Sequence, residues 1–205
     1  MVGRLGSLLF AVQKMKLKRF PAESIKRLRV VGEGETFSVF EAKFQQEVIA
    51  VKRIRLYEKN ASVSRTAVQR RLQAVLKEIL IMNHPPLAHH SNIVRLLGYG
   101  WEIEQQQLSP FITVELAPAG SLRNYLRDSA KPFRTKEILA SDIASGLMAL
   151  HKCGIIHGDL KLDNVLVVPS LDRPCMATAR IADFGHSIIL NSATEADLHY
   201  FGTGR

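Results

Sequence analysis

Cysteine is scarce: Cys153 and Cys175 are the only two among 205 residues. Two such residues build no disulfide framework, and both are expected as reduced thiols. Long hydrophobic runs are missing as well. The longest candidate, Leu5 to Gln13, spans nine residues between Arg4 and Lys14 and is too short for a transmembrane helix. No internal repeat and no low-complexity segment is visible. Acids are outnumbered, with 19 Asp and Glu against 28 Lys and Arg, for a formal net charge of +9. What is present in quantity is apolar: 46% of residues are hydrophobic, which excludes a disordered chain and supplies enough surface for a core. The length admits one full domain, or a domain and a fragment.

The excess positive charge is local. Residues 1–29 carry eight basic residues and one acid, and residues 50–80 carry eight basic residues and two acids. Residues 30–49 hold one Lys against four Glu, and residues 81–205 hold eleven basic residues against twelve acids. The head of the chain sets Arg4, Lys14, Lys16, Lys18 and Arg19 around Leu5, Leu8, Leu9, Phe10 and Val12. That pattern has some likeness to a secretory or organelle-targeting segment, but Lys14-Met15-Lys16 follows where a small-residue cleavage site belongs. A flexible basic leader over residues 1–23 is the expectation, with a cytoplasmic location. No aromatic-rich binding motif accompanies the charge, so a nucleic-acid partner is not expected.

From about Ser24 short strand-like segments appear: Leu28 to Gly32, Ser38 to Phe44 and Val48 to Ile54. The apolar positions Val68, Leu72, Val75, Leu76, Ile79 and Met82 then recur at helical spacing until His84-Pro85-Pro86. Ile93 to Leu97 and Phe111 to Leu116 read as strands around a polar loop at Gln105 to Gln107. A second helix is predicted over Thr135 to Lys152, with Leu139, Ile143, Leu147 and Leu150 on its stripe and Gly154 at its end. Ile155-Ile156, Val165 to Val168 and Arg180 to Ala182 close the list. This order predicts an α+β fold, a small strand-rich lobe followed by a helical one.

Four groups of residues carry chemistry. Gly32-Glu33-Gly34 follows a strand, and glycines there let backbone N–H groups approach phosphate; an ordinary hairpin turn has the same appearance. Ala50-Val51-Lys52 lies on a strand, where a period of two puts Ala50 and Lys52 on one face. That face suits a flat base and a phosphate, although a lysine snorkelling from a strand would look alike. Glu78 sits about 40° from Met82 and about 60° from Val75 around the helix, at the flank of the apolar stripe, within reach of a buried lysine. The fourth group is the most specific. His157-Gly158-Asp159-Leu160-Lys161-Leu162-Asp163-Asn164 gathers an Asp, a Lys and an Asn in one loop, and Asp183-Phe184-Gly185 follows across a predicted hairpin. Asn164 and Asp183 offer oxygen ligands to a shared hard cation.

In this order, the four groups resemble the signature set of the eukaryotic protein kinase family, over residues 24 to 205. The resemblance implies a two-lobe fold, with residues 24–117 as small lobe and hinge and residues 118–205 as part of the large lobe. It implies ATP and Mg²⁺ as cofactors and a protein substrate of unstated identity. Gly32 and Gly34 match the glycine-rich loop, Val39 and Ala50 the walls of the base pocket, and Lys52 and Glu78 the phosphate-contacting lysine and its helix partner. Val114 falls at the gatekeeper position and Glu115-Leu116-Ala117 at the adenine-binding hinge. Asp159 matches the catalytic base, Lys161 the γ-phosphate contact, and Asn164 and Asp183 the magnesium ligands. Met82, Leu96, His157 and Phe184 match a stacked hydrophobic spine, and Thr203 a residue that braces the catalytic aspartate. Lys161 points to serine/threonine specificity.

Three departures accompany the match. Phe37 replaces the third glycine of the loop. Gly158 replaces the arginine that links the catalytic loop to a phosphorylated activation segment, so switching through Ser187, Ser192, Thr194 or Thr203 is not expected by that route. The chain stops at Arg205, just before the family's Ala-Pro-Glu, so an incomplete large lobe with an exposed apolar face is expected. Two other readings stand beside a serine/threonine kinase: a small-molecule phosphotransferase, suggested by His157-Gly158-Asp159, and a catalytically silent interaction module.

Overall fold

Alternation of apolar and polar residues, interrupted by tight turns, builds the first sheet. The computed structural model describes residues 10, 12–34, 36–55, 64–104, 107–127 and 130–190. Strands β1 (Ile25–Glu33), β2 (Phe37–Phe44) and β3 (Glu47–Ile54) form an antiparallel meander. Gln45 adopts φ 56° in the two-residue turn between β2 and β3, a left-handed conformation that matches the twist of a tight hairpin. Helix α1 (Arg65–Met82) follows, and then a one-turn helix, α2 (Pro85–Ala88). Pro85 does more than end α1: a proline has no N–H to lose at the first position of the next helix. Strands β4 (Leu96–Glu104) and β5 (Gln107–Glu115) complete a five-stranded sheet in the order β1-β2-β3-β5-β4.

The remaining elements are α3 (Leu122–Arg127), α4 (Phe133–Lys152) and β6 (Ile155–Ile156), followed by the hairpin strands β7 (Val165–Pro169) and β8 (Ala177–Ile181), and β9 (Ile188–Ile189). β7 pairs with β8, and β6 with β9. This order is that of an α+β fold, as expected.

The chain divides into two compact units. Met1–Ile79 with Leu96–Leu116 makes the first, and Leu80–Arg95 with Ala117–Arg205 the second. The segment Leu80–Arg95, expected in the small lobe, therefore belongs with the second unit. The reason is a backbone exchange with β8: Val94 N–H donates to the Ile181 carbonyl at 2.9 Å and Ile181 N–H to the Asn92 carbonyl at 2.8 Å. For the same reason Ile93 and Val94 do not begin β4, which starts at Leu96.

In the first unit, Phe20, Ala42, Phe44, Ile49, Val51 and Phe111 form a buried cluster on one sheet face. The stripe Val68, Leu72, Val75, Ile79 and Met82 of α1 is buried throughout. In the second unit, Leu122, Leu139, Val165, Val167, Ala177 and Ala179 pack together. Asp142 is buried there on α4, where its Oδ2 accepts from Arg173 at 2.7 Å and from the Ala179 N–H at 2.9 Å. Phe133 and Met148 of α4 remain exposed. Cys153 and Cys175 are both free, and burial pushes the Cys153 thiol up.

Of the leader expected over residues 1–23, residues 10 and 12–23 are described, and two of these are packed; residues 1–9 and 11 lie outside the described residues. Val12 and Phe20 are each only 2% exposed, and Phe20 packs its ring 4.7 Å from that of Phe44.

Candidate functional site

The first unit holds one set of predicted residues. On β3, Ala50 and Lys52 face the same side, and the register sets Val39 of β2 opposite Lys52 and Val114 of β5 opposite Ala50. Ala50 and Val114 are buried; Val39 and Glu115 are half-buried. Lys52 donates its Nζ to Glu78 Oε1, and the two side chains are 13% and 1% exposed. The inward-reaching carboxylate anticipated on the flank of α1 is thus fully enclosed. An ion pair at that depth holds only because each partner neutralises the other.

Phe37 contributes what its sequence position alone did not reveal. Its ring is buried, with the Lys52 ammonium 4.3 Å from the centroid, a cation–π contact. Lys52 is therefore engaged by a carboxylate and an aromatic face together. The glycine turn is tied down beside it. Gly34 N–H donates to the Phe37 carbonyl at 2.9 Å, and Arg55 Nη1 donates to the Gly34 carbonyl at 2.9 Å. Arg71 of α1 donates in turn to the Arg55 carbonyl. The turn, the end of β3 and the Glu78-bearing helix are thereby joined through Arg55, a residue without a motif signature. Gly32 lies inside β1 opposite Val39, and Gly34 is exposed.

The second unit holds the other set, and its geometry comes from the β7–β8 hairpin. Val165 pairs with Ile181, and the next bond outward runs from Ala182 N–H to the Asn164 carbonyl at 2.9 Å. Asn164 and Asp183 therefore leave the hairpin side by side. Asp183 adopts φ 65°, a left-handed conformation uncommon for a non-glycine residue and one that gathers at functional sites. Asn164 Nδ2 donates to the Asp159 carbonyl at 2.8 Å and to Asp159 Oδ2 at 3.0 Å. Lys161 Nζ donates to the same Oδ2 at 2.7 Å. That hydrogen bond, with Asn164 adding to it, holds the Asp159 carboxyl below the ordinary carboxylate range, and in return raises Lys161. Asp163, within the same loop, is directed elsewhere: Arg123 Nε donates to it at 2.8 Å and holds it low.

His157 scaffolds this loop. Its Nε2 lies 3.0 Å from the Ala182 carbonyl and its Nδ1 accepts from the Asp159 N–H at 3.3 Å. Its ring packs on Phe184 with centroids 5.4 Å apart. Ser187 Oγ donates to the His157 carbonyl at 3.1 Å, which gives this hydroxyl a buried structural bond. Gly158 is required by its geometry: φ is +80°, and an added Cβ would lie 2.4 Å from the His186 carbonyl oxygen. The arginine expected here has no room in this backbone. Ala117, the last hinge residue, opens the second unit and is half-buried. Ser192, Thr194 and Thr203 lie outside the described residues.

The protein kinase domain model matches residues 25–204. The chain belongs to the protein kinase family. A mitogen-activated protein kinase kinase kinase, mkh1, of Cytospora mali is 36% identical over 143 residues, 69% of this kinase chain and 7% of the relative. The kinase kinase kinase bck1 of Aspergillus fumigatus is 33% identical over 174 residues, 83% of this chain and 10% of that protein. A probable serine/threonine-protein kinase, gdt9, of Dictyostelium discoideum is 27% identical over 204 residues, 85% of this chain and 12% of that protein. This kinase chain thus spans about a tenth of the length of such relatives. The family implies ATP and a divalent metal. The donor set fits such a cation: Asn164 spends its amide nitrogen on Asp159, leaving the amide oxygen, and the neighbouring Asp183 adds a carboxylate.

Proposed function

We propose that this kinase domain transfers the γ-phosphoryl group of Mg-ATP to serine or threonine hydroxyls of a protein, in the cytoplasm. The observation that carries the reading is the shared Oδ2 of Asp159, held by Lys161 at 2.7 Å and Asn164 at 3.0 Å. One carboxylate is kept ionised and oriented by a cation and an amide, as a group that accepts a hydroxyl proton must be.

The remaining residues divide the work. Lys52, fixed by Glu78, supplies positive charge to the phosphates, and Gly32 and Gly34 admit them close to backbone. Val39 and Ala50 offer an apolar surface to a base, and the backbone at Glu115 and Ala117 its hydrogen bonds. Lys161 stands beside Asp159 as a second cation for the transferring group. Asn164 and Asp183 would hold Mg²⁺, which when bound neutralises charge building on the phosphoryl oxygens. A silent interaction module is a second reading, favoured by one observation: the Phe37 ring covers the Lys52 ammonium that phosphate would need.

Transfer from γ-labelled Mg-ATP to mixed protein and small-molecule acceptors separates these readings. Label on protein Ser or Thr, abolished in Asp159→Asn, is the expected result. Label on small molecules alone would overturn the protein-kinase reading in favour of a small-molecule phosphotransferase. A folded chain that binds no nucleotide would favour the silent module.

A further inference from the structure

The segment ahead of the family match makes a set of contacts that no kinase motif accounts for. The match begins at residue 25, and residues 12–20 lie outside it. They cross β4, the edge of the sheet, at Tyr99, and side chains of the segment reach both faces of the sheet.

Backbone pairing fixes the crossing point. Tyr99 N–H donates to the Lys18 carbonyl at 3.0 Å and Phe20 N–H to the Tyr99 carbonyl at 2.8 Å, and Arg19 bridges Tyr99 in parallel. The edge strand is cut to receive this chain. A Cβ at Gly98 would lie 2.1 Å from the Lys18 carbonyl oxygen, and one at Gly100 would lie 2.4 Å from that of Phe20 and 2.3 Å from the Phe111 ring. On one side of the sheet Phe20 enters the cluster with Phe44, Ile49, Val51 and Phe111. Lys18 lies 4.9 Å from the Phe20 ring, and Arg19 stacks 4.1 Å from the Trp101 ring. Lys18 and Arg19 thus serve aromatic partners within the chain. Val12 lies on the other side. It lines an apolar pocket with Ile54 and Ile112 of the sheet and Val75 and Ile79 of α1. Its burial to 2% exposure closes that pocket against the helix face next to Glu78.

We propose that residues 12–20 form a strap around the sheet edge that sets the position of α1, and through it the Lys52–Glu78 pair; Val12 is its positioning residue and Phe20 its anchor. The consequence for phosphate binding rests on the nucleotide reading above. The position of α1 itself does not. Removing the Val12 wedge leaves α1 anchored through Arg71 but under-packed where Val75 and Ile79 meet Ile54 and Ile112, and a helix that shifts carries Glu78 away from Lys52.

The test compares the 205-residue chain with its Val12→Ala, Val12→Asp and Val12→Ile variants. Amide hydrogen exchange over Leu72–Met82 without nucleotide reads the helix; Mg-ATP titration reads the lysine. Val12→Asp is expected to speed exchange in α1 by about tenfold, with the β7–β8 hairpin unchanged. Mg-ATP binding is expected to weaken by about tenfold in the same variant, and by about threefold in Val12→Ala. Val12→Ile, which keeps a β-branched apolar side chain and adds one methylene, is expected to retain both near the unsubstituted values. Should Val12→Asp fail to fold, Val12→Ala decides on both readouts. Wild-type protection of α1 in Val12→Ala and Val12→Asp, or an equal rise throughout the chain, overturns the strap. Loosened α1 in a chain whose unsubstituted form binds no Mg-ATP upholds the strap and overturns the nucleotide reading.

Discussion

Two lysine–carboxylate pairs lie in the two units of this kinase, and they live in different solvents. Lys52 and Glu78 are 13% and 1% exposed. Lys161 and Asp159 are 49% and 32% exposed. The same two functional groups therefore do different work. A buried pair is an architectural commitment: each charge relies on the other, and removing one strands its partner in a poor solvent. An exposed pair adds little to stability, because water and salt screen it, and is free to exchange a proton or meet a substrate. The first unit uses its pair to hold a cation still. The second uses its pair to keep a carboxylate ionised and within reach of solvent.

The most damaging break on the reactive side is Asp159→Asn. On the proposed role of Asp159 as proton acceptor, the amide would accept no hydroxyl proton, and transfer is expected to fall by about a thousandfold. The melting temperature should barely move, since the residue is partly exposed; steady-state transfer and a thermal melt check both halves. On the buried side, Lys52→Met strands Glu78 and is expected to cost about 3–5 kcal/mol of unfolding free energy in denaturant titration. Lys52→Met combined with Glu78→Leu should be more stable than Lys52→Met alone, which distinguishes a stranded charge from lost packing.

A smaller effect is expected at Gly158. Alanine there combines φ +80° with a 2.4 Å approach to the His186 carbonyl oxygen, and should cost about 1–3 kcal/mol in the same titration. At Phe37, glycine removes the ring over Lys52 and should lower the KM for ATP by a few-fold, the scale of a cation–π contact. An unchanged or raised KM would mean that the ring does not compete with phosphate.

The smallest effect is on pH. Lys161 holds the Asp159 carboxyl down, so Asp159 stays ionised to lower pH than an ordinary carboxyl. The acidic limb of the transfer rate should lie below the usual carboxylate range, and Lys161→Met should move it upward toward that range. The sign is the same for stability: a depressed carboxyl contributes above its unfolded pKa and loses that contribution as pH falls. Exposure keeps this contribution slight. A limb that stays in place in Lys161→Met would detach the lysine from the titration of Asp159.

The readability of these features from sequence followed how local their causes are. Both long helices were visible because their apolar stripes repeat within one element; α1 runs Arg65–Met82 and α4 runs Phe133–Lys152, each a few residues beyond the periodic pattern. The loop from His157 to Asn164 was visible because its chemistry is contiguous. The enclosure of Glu78 was only half visible: helical geometry put it beside the stripe, and the lysine that draws it inward comes from another element. The short helix α2 was hidden by reading Pro85 only as a stop. The role of Arg55, the stacking of Phe37 on Lys52 and the packing of Val12 and Phe20 were not legible. Each depends on residues far apart in the chain, and basic residues around apolar ones in a leader look alike whether they are solvated or stacked on aromatic rings.

The division of labour between the two pairs is tested most directly by one titration of Mg-ATP into Asp159→Asn and Lys52→Met, with each variant's folding checked by circular dichroism. The account predicts that Asp159→Asn binds Mg-ATP as the unsubstituted chain does, while folded Lys52→Met binds it at least about tenfold more weakly. Undiminished binding by Lys52→Met, or lost binding in a folded Asp159→Asn, would contradict it.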